Sequence, residues 1–428
     1  MQPSRPSPLV ADEAARRSGP ASGSPLRGRD PFIDALRGLC LFVMTANHFG
    51  AGPLHVLTWQ PLGFVSAAEG FIFLSGLSTA RALASPRADS SEGWRTRWAR
   101  LRAWRVYRAH VATVAAVVAL LPLTLILAPG GAQALAVPWT PLLDAPVRAL
   151  LGSAALVYLP APFDVLPLYV VFLAVAPRVL DELDRRGAAR VLAVSMTLWL
   201  VSQLTLGRLV HWAVRPIPGA DAPDFDVLGW QALFVVGLVC GWASARRLLT
   251  MRLKRAEWAA IWGAVIALFV VRHAAGDAGW APMLAGRPTL GPLRALNFGL
   301  VALVAWRLWP GVKQRLSTAP LVVAGRHSLL VFCTQAGLLV LTAPFRSAIA
   351  SGGPWAELVL AVAALGMVGT VAWLAERWRA RRRRLIPNSV VEAESASLAP
   401  DRRRHDGSQR PPADTVEQRA VAGGEGSG

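Results

Sequence analysis

Apolar runs of 17 to 24 residues recur between Phe32 and Leu374, separated by short polar or basic stretches. About 20 such residues, wound as a helix, span the hydrocarbon core of a bilayer. Backbone groups in hydrocarbon must find their hydrogen bonds within the segment, so these runs predict helices rather than open strands. Composition agrees: 54% of residues are hydrophobic and only 17% are charged, less charge than a soluble chain of this length carries. The predicted fold is therefore an all-α polytopic membrane protein. About ten transmembrane helices are expected, at 32–49, 62–84, 106–129, 163–181, 189–206, 227–245, 257–273, 293–309, 320–342 and 355–376. The apolar stretch 144–160 is short and flanked by proline, and reads as a re-entrant or interfacial piece.

The net charge of +19 follows the same logic. Arginines and lysines crowd alternate loops, such as Arg95 to Arg105, Arg185 to Arg190, Arg246 to Arg255, and Arg377 to Arg384. The opposite loops hold only Arg148, Arg208, Arg215, Arg287 and Arg346. That asymmetry predicts cytoplasmic termini and explains the charge without nucleic acid as a partner. Residues 1–29 and 386–428 are rich in Pro, Ser, Ala or Gly and predict disorder, so the chain divides into a leader at 1–29, a membrane domain at 30–380 and a tail at 381–428 that is basic and then disordered. Cys40, Cys240 and Cys333 all fall in apolar segments. They make no disulfide framework, and no His or Cys pair has metal spacing. A phosphate-binding P-loop and a dinucleotide fingerprint are also missing from the sequence.

Chemistry is expected where charge enters the apolar runs. In Arg37-Gly-Leu-Cys-Leu-Phe-Val-Met-Thr-Ala-Asn-His48, the arginine and histidine stand eleven residues apart. That is close to three turns, so both share one helix face, roughly 16 Å apart. Charged groups on a spanning helix are costly and mark function. Asp34, three residues before Arg37, can pair with it. The second run brings Glu69 to the level of His48, where a carboxylate can fix the imidazole and stabilise its cation during general-base catalysis. Ser75-Gly76 reads as a helix-packing site. Trp230, Gln231 and Asn297 are candidates for lining an outer vestibule, where indole stacking and amide hydrogen bonds would suit a sugar. Interfacial anchoring and interhelical bonding explain them equally well. Arg326 and His327 form a basic cluster at the opposite level, suited to a phosphate-bearing ligand or to the inner leaflet.

Several blocks resemble a known family. They are Arg29-Asp30…Asp34-Ala-Leu-Arg-Gly38…His48, Gly63-Phe…Ala68-Glu69…Phe73-Leu-Ser-Gly76, Arg105-Val-Tyr107, Leu166-Pro-Leu-Tyr169, Trp230-Gln-Ala-Leu-Phe-Val-Val-Gly237 and Gly325-Arg-His-Ser-Leu329. Together they resemble OpgC-type proteins within the wider membrane acyltransferase-3 group. The resemblance implies a ten-helix inner-membrane enzyme that moves an acyl group from cytoplasmic acyl-CoA to a glycan hydroxyl outside. For the OpgC type it implies succinyl-CoA as co-substrate, with no permanently bound cofactor, and an osmoregulated periplasmic glucan as acceptor. His48 would be the general base, Glu69 its orienting partner, and Arg37, Asp34, Arg326 and His327 would meet the acyl-CoA. Two positions depart from the family pattern, Asn47 and Ser66, where acidic residues usually stand. An acetyl-CoA donor with another envelope glycan or lipid as acceptor is the nearest rival. A transporter of a polar sugar-bearing substrate is the rival outside enzymes, although the internal repeats such a protein tends to show are not evident.

Overall fold

A computed structural model describes residues 30–49, 54, 58, 62–84, 93–128, 130–131, 139–159, 161–204, 225–249, 252–274 and 284–385. Residues 1–29 and 386–428, expected to be disordered, and Arg208 and Arg215 lie outside these residues. The described residues are helical throughout, with no strand. In chain order the helices are α1 (Pro31–Phe49), α2 (Ala67–Leu83), α3 (Trp94–Leu127), α4 (Pro141–Asp144), α5 (Pro146–Ala154), α6 (Val165–Arg186) and α7 (Ala188–Gln203). They continue with α8 (Val227–Ala245), α9 (Arg255–Ala274), α10 (Pro292–Leu316), α11 (Ala319–Arg326), α12 (Ser328–Thr342), α13 (Arg346–Ser351) and α14 (Gly353–Leu385).

Each of the ten expected apolar runs contains a helix. Six stretches are long and apolar enough to cross a membrane by length and composition: Trp94–Leu127, Val227–Ala245, Arg255–Ala274, Pro292–Leu316, Ser328–Ser351 and Gly353–Arg382. The others are shorter or carry more charge. Residues 144–160 form no long helix, only the end of α4 and the short α5. The run 320–342, expected as one span, is broken. α11 stops at Arg326 and α12 starts at Ser328, with His327 in a non-helical conformation between them. Its ring is held by Glu376, 2.8 Å away.

Two glycine-lined seams bring the central helices together. A Cβ on Gly76 would strike the Phe234 carbonyl, and one on Gly237 or Gly241 would strike the carbonyls of Phe73 or Leu77. α2 and α8 thus pack backbone to backbone, the arrangement that small residues permit between membrane helices. α1 meets α11 in the same way, through Gly38 against Leu321 and Gly325 against Asp34. Leu41, Ile72, Phe172, Leu233 and Phe332 lie in the core between these helices.

The chain divides into two compact units, residues Met1–Glu376 and Arg377–Gly428. All the geometry below belongs to the first. In the second, the Arg382 guanidinium lies 4.1 Å from the Trp378 ring centre.

Candidate active site

His48 stands in the last turn of α1 and faces a cavity of about 40 Å³, room for roughly three waters. Met44, Ala68, Phe71, Ile72 and Phe332 give it apolar walls, and Asp164 and Arg287 are the charged groups that line it with His48. Asp164 is buried at the start of α6 and is the carboxylate that shares this space with the imidazole. It is not among the candidates read from the sequence. The signal was present in Pro160-Ala-Pro-Phe-Asp164, an acid at the mouth of an apolar run.

Glu69 does not fill the expected place. Among the described residues no hydrogen bond joins it to His48. Its Oε1 meets Arg294 Nη1 at 2.5 Å, with both side chains buried. Its Oε2 accepts from the Ser66 amide at 2.8 Å and the Ser66 hydroxyl at 2.6 Å. A guanidinium in a low-dielectric interior is a far stronger partner for a carboxylate than a neutral ring. Ser66 closes the remaining valences as the residue preceding α2. Asn297, one turn beyond Arg294 on α10, accepts from the Phe64 amide at 2.6 Å through Oδ1. The pair therefore clamps α10 to the start of α2.

Trp230 and Gln231 do not form a sugar platform. Trp230 is fully buried and its indole donates to the Arg287 carbonyl at 2.9 Å. Gln231 accepts from the Ser195 hydroxyl at 2.9 Å and donates to the Ser195 carbonyl at 2.8 Å, tying α8 to α7. Packing against neighbouring helices satisfies both side chains, which turns them inward.

At the other end of α1, Arg37 is buried and donates to the Ser328 hydroxyl at 2.6 Å. Its guanidinium lies 5.6 Å from the centre of the Phe71 ring, and Phe71 also walls the His48 cavity. One aromatic side chain on α2 thus touches both ends of the predicted Arg37–His48 axis. Asp34 lies 3.9 Å from Arg326. Arg326 and His327 both bind Glu376, at 3.1 and 2.8 Å. The basic cluster is thus paired to an acid on α14. Asp30 and Arg81 pair nearby at 3.1 Å.

A further ionic network ties helix ends together. Arg95 reaches Asp181 at 2.8 Å and Asp184 at 2.9 Å, and Arg246 reaches Asp184 at 2.5 Å. Partial burial pushes the Asp184 carboxyl upward. The hydrogen bonds from Trp242 and Arg95 and the charges of Arg246 and Arg95 outweigh it and hold the group below its ordinary value. Beside this network Arg97, Arg100, Trp104 and Tyr107 line an open groove against α6. The basic stretch Arg95 to Arg105, expected as a loop, is part of α3.

Spanning-length helices with titratable side chains buried among them define the class: a multi-pass helical membrane protein with titratable groups towards both ends of one helix. Within that class the chain belongs to the OpgC protein family, whose family model (OpgC_C) matches residues 29–380. No curated protein and no solved structure matches the chain.

Proposed function

We propose that the protein is a transmembrane O-acyltransferase that moves an acyl group, succinyl in the first instance, from cytoplasmic acyl-CoA to a hydroxyl of a periplasmic glucan. OpgC family membership suggests a glucan-modifying acyltransferase. The observation that carries the mechanism is the cavity shared by His48 and Asp164 at one end of a helix whose other end holds Arg37. On this reading the chain sits in the inner membrane with ten spans and cytoplasmic termini, so that Arg37 faces the donor side and His48 the acceptor side.

The coenzyme phosphates lie among the cytoplasmic arginines, with Arg37 the innermost contact. The pantetheine arm passes Phe71 and presents the thioester in the His48 cavity. His48 takes the proton from a sugar hydroxyl as its oxygen bonds to the thioester carbon. The carbon–sulfur bond then breaks, and the departing coenzyme thiolate takes the proton from the imidazolium. Asp164, not Glu69, is the carboxylate that orients the ring and offsets its transient charge. Glu69 acts through Arg294 to fix the start of α2, whose Ala68, Phe71 and Ile72 wall the cavity. Asp34, Arg326, His327 and Glu376 form the charged frame around the donor side of Arg37.

Mass spectrometry of periplasmic glucans tests the reading. Cells with the intact protein should carry a succinyl mass increment, and cells lacking it or expressing His48→Ala should not. An acetyl increment would change the donor. Unmodified glucans in every strain would remove the acyltransferase assignment.

A further inference from the structure

We propose, independently of the acyl-transfer reading, that the groove between α3 and α6 binds an anionic phospholipid, with its phosphate on Arg100 and Arg97 and its acyl chains against Leu101 and Trp104. The charge of α3 is one-sided. Between Trp94 and Arg108 stand six arginines and no acid. Arg95 is spent on Asp181 and Asp184 of α6. Glu182, the remaining acid near that end of α6, lies 3.0 Å from Arg186. The acids of the facing helix are thus held by other arginines, and none of them lines the groove. Arg100 is exposed, and among the described residues it makes no hydrogen bond or ion pair.

Arg97, Arg100, Leu101, Trp104 and Tyr107 stand at i, i+3, i+4, i+7 and i+10, so one face of α3 carries them all. Along that face, about 15 Å from end to end, the groove passes from guanidinium to aliphatic and aromatic surface. At the aromatic end the Trp104 and Tyr107 rings stack with their centres 5.2 Å apart, and the Tyr107 hydroxyl donates to the Ala154 carbonyl of α5 at 2.8 Å. The ring pair is therefore anchored. Val170 and Ala174 of α6 form the opposite wall of a space of about 740 Å³. A lipid and a soluble nucleotide both bring a phosphate that an arginine fork can grip. The surroundings favour the lipid. Leu101 and Trp104 are exposed on α3, and past the groove wall the surface of α6 stays apolar, with Val171 and Val175 exposed. Acyl chains cover such a surface, and ribose and base do not. The apolar length of α3 follows directly after Arg108. This sets the arginines at headgroup level and the rings at the edge of the hydrocarbon, where Trp and Tyr collect. Basic pockets between spanning helices hold anionic headgroups in the same way.

The test is native mass spectrometry of the full chain in mild detergent. The probes are phosphatidylglycerol and phosphatidylethanolamine with identical acyl chains, the first anionic and the second neutral overall. Wild type should retain phosphatidylglycerol at least about tenfold better, as two arginines at a headgroup provide. The double variant Arg97→Gln with Arg100→Gln should hold it no better than phosphatidylethanolamine. Trp104→Ala should weaken both lipids. Equal retention of the two lipids by wild type overturns the proposal, and that measurement needs no variant to fold. So does undiminished phosphatidylglycerol on the double variant, which would put the lipid elsewhere. Coenzyme A that displaces phosphatidylglycerol from wild type and fails to bind the double variant also overturns it, by assigning the groove to a nucleotide.

Discussion

Arg287 and Arg294 lie on one turn and the helix that follows it, and they meet opposite surroundings. Arg294 is sealed against Glu69 with both partners buried. Arg287 borders a cavity whose other titratable groups are His48 and Asp164. A charge saturated by protein groups holds helices together. Arg287 stands instead on the wall of a cavity, beside a carboxylate and an imidazole. Burial cannot separate the two roles in this protein, because Glu69 and Asp164 are both buried carboxylates. What each one faces separates them.

Substitutions on the two sides of this contrast should differ in kind. The largest effect on turnover belongs to His48. Replacing it by Gln should cut acyl transfer by on the order of a hundred- to ten-thousandfold, the range for a positioned general base, while thermal unfolding in detergent stays near wild type. Glu69→Gln should do the reverse. Leaving Arg294 buried without its carboxylate costs about 3–5 kcal/mol of stability, read as a large drop in melting temperature, while protein that remains folded keeps most of its kcat. A Glu69→Gln variant that melts normally but is inactive would return Glu69 to the catalytic centre. Asp164→Asn should lower kcat by roughly a hundredfold, within the general-base contribution, and shift the pH profile of kcat with little change in melting. Trp230→Phe removes one hydrogen bond to the Arg287 turn. It should cost about 1 kcal/mol of stability, read as a small drop in melting temperature.

The smallest effect lies outside both regions, at Asp184. Its carboxyl is held below its ordinary value in the folded protein. The resulting stability is therefore present above the ordinary carboxylate range near 4 and fades as pH falls through and below it. Asp184→Asn should be less stable than wild type by at most about 1 kcal/mol at pH 7. The gap between their melting temperatures should narrow as pH falls below about 4.

The helices were legible because hydropathy is a local property: each expected run holds a helix, and Arg37 and His48 lie on one helix as the spacing required. The interruption at His327 was hidden, and the partner of its ring, Glu376, stands on a distant helix. The partner of Glu69 was hidden for the same reason. Glu69 was assigned by its level on the adjacent helix, whereas Arg294, 225 positions away, claims it. Trp230 and Gln231 were noticed for the right reason, as polar-edged residues in an apolar run. Their partners are backbone carbonyls and Ser195, which no linear pattern reveals.

The glycine contacts between α2 and α8 set where this molecule can yield. With Gly76, Gly237 and Gly241 each abutting a carbonyl of the opposite helix, the two behave as one stiff beam, and sliding one along the other would drive main chain into main chain. One wall of the His48 pocket is thus stationary. Any widening of that pocket must come from outside the beam, as by α1 moving against it.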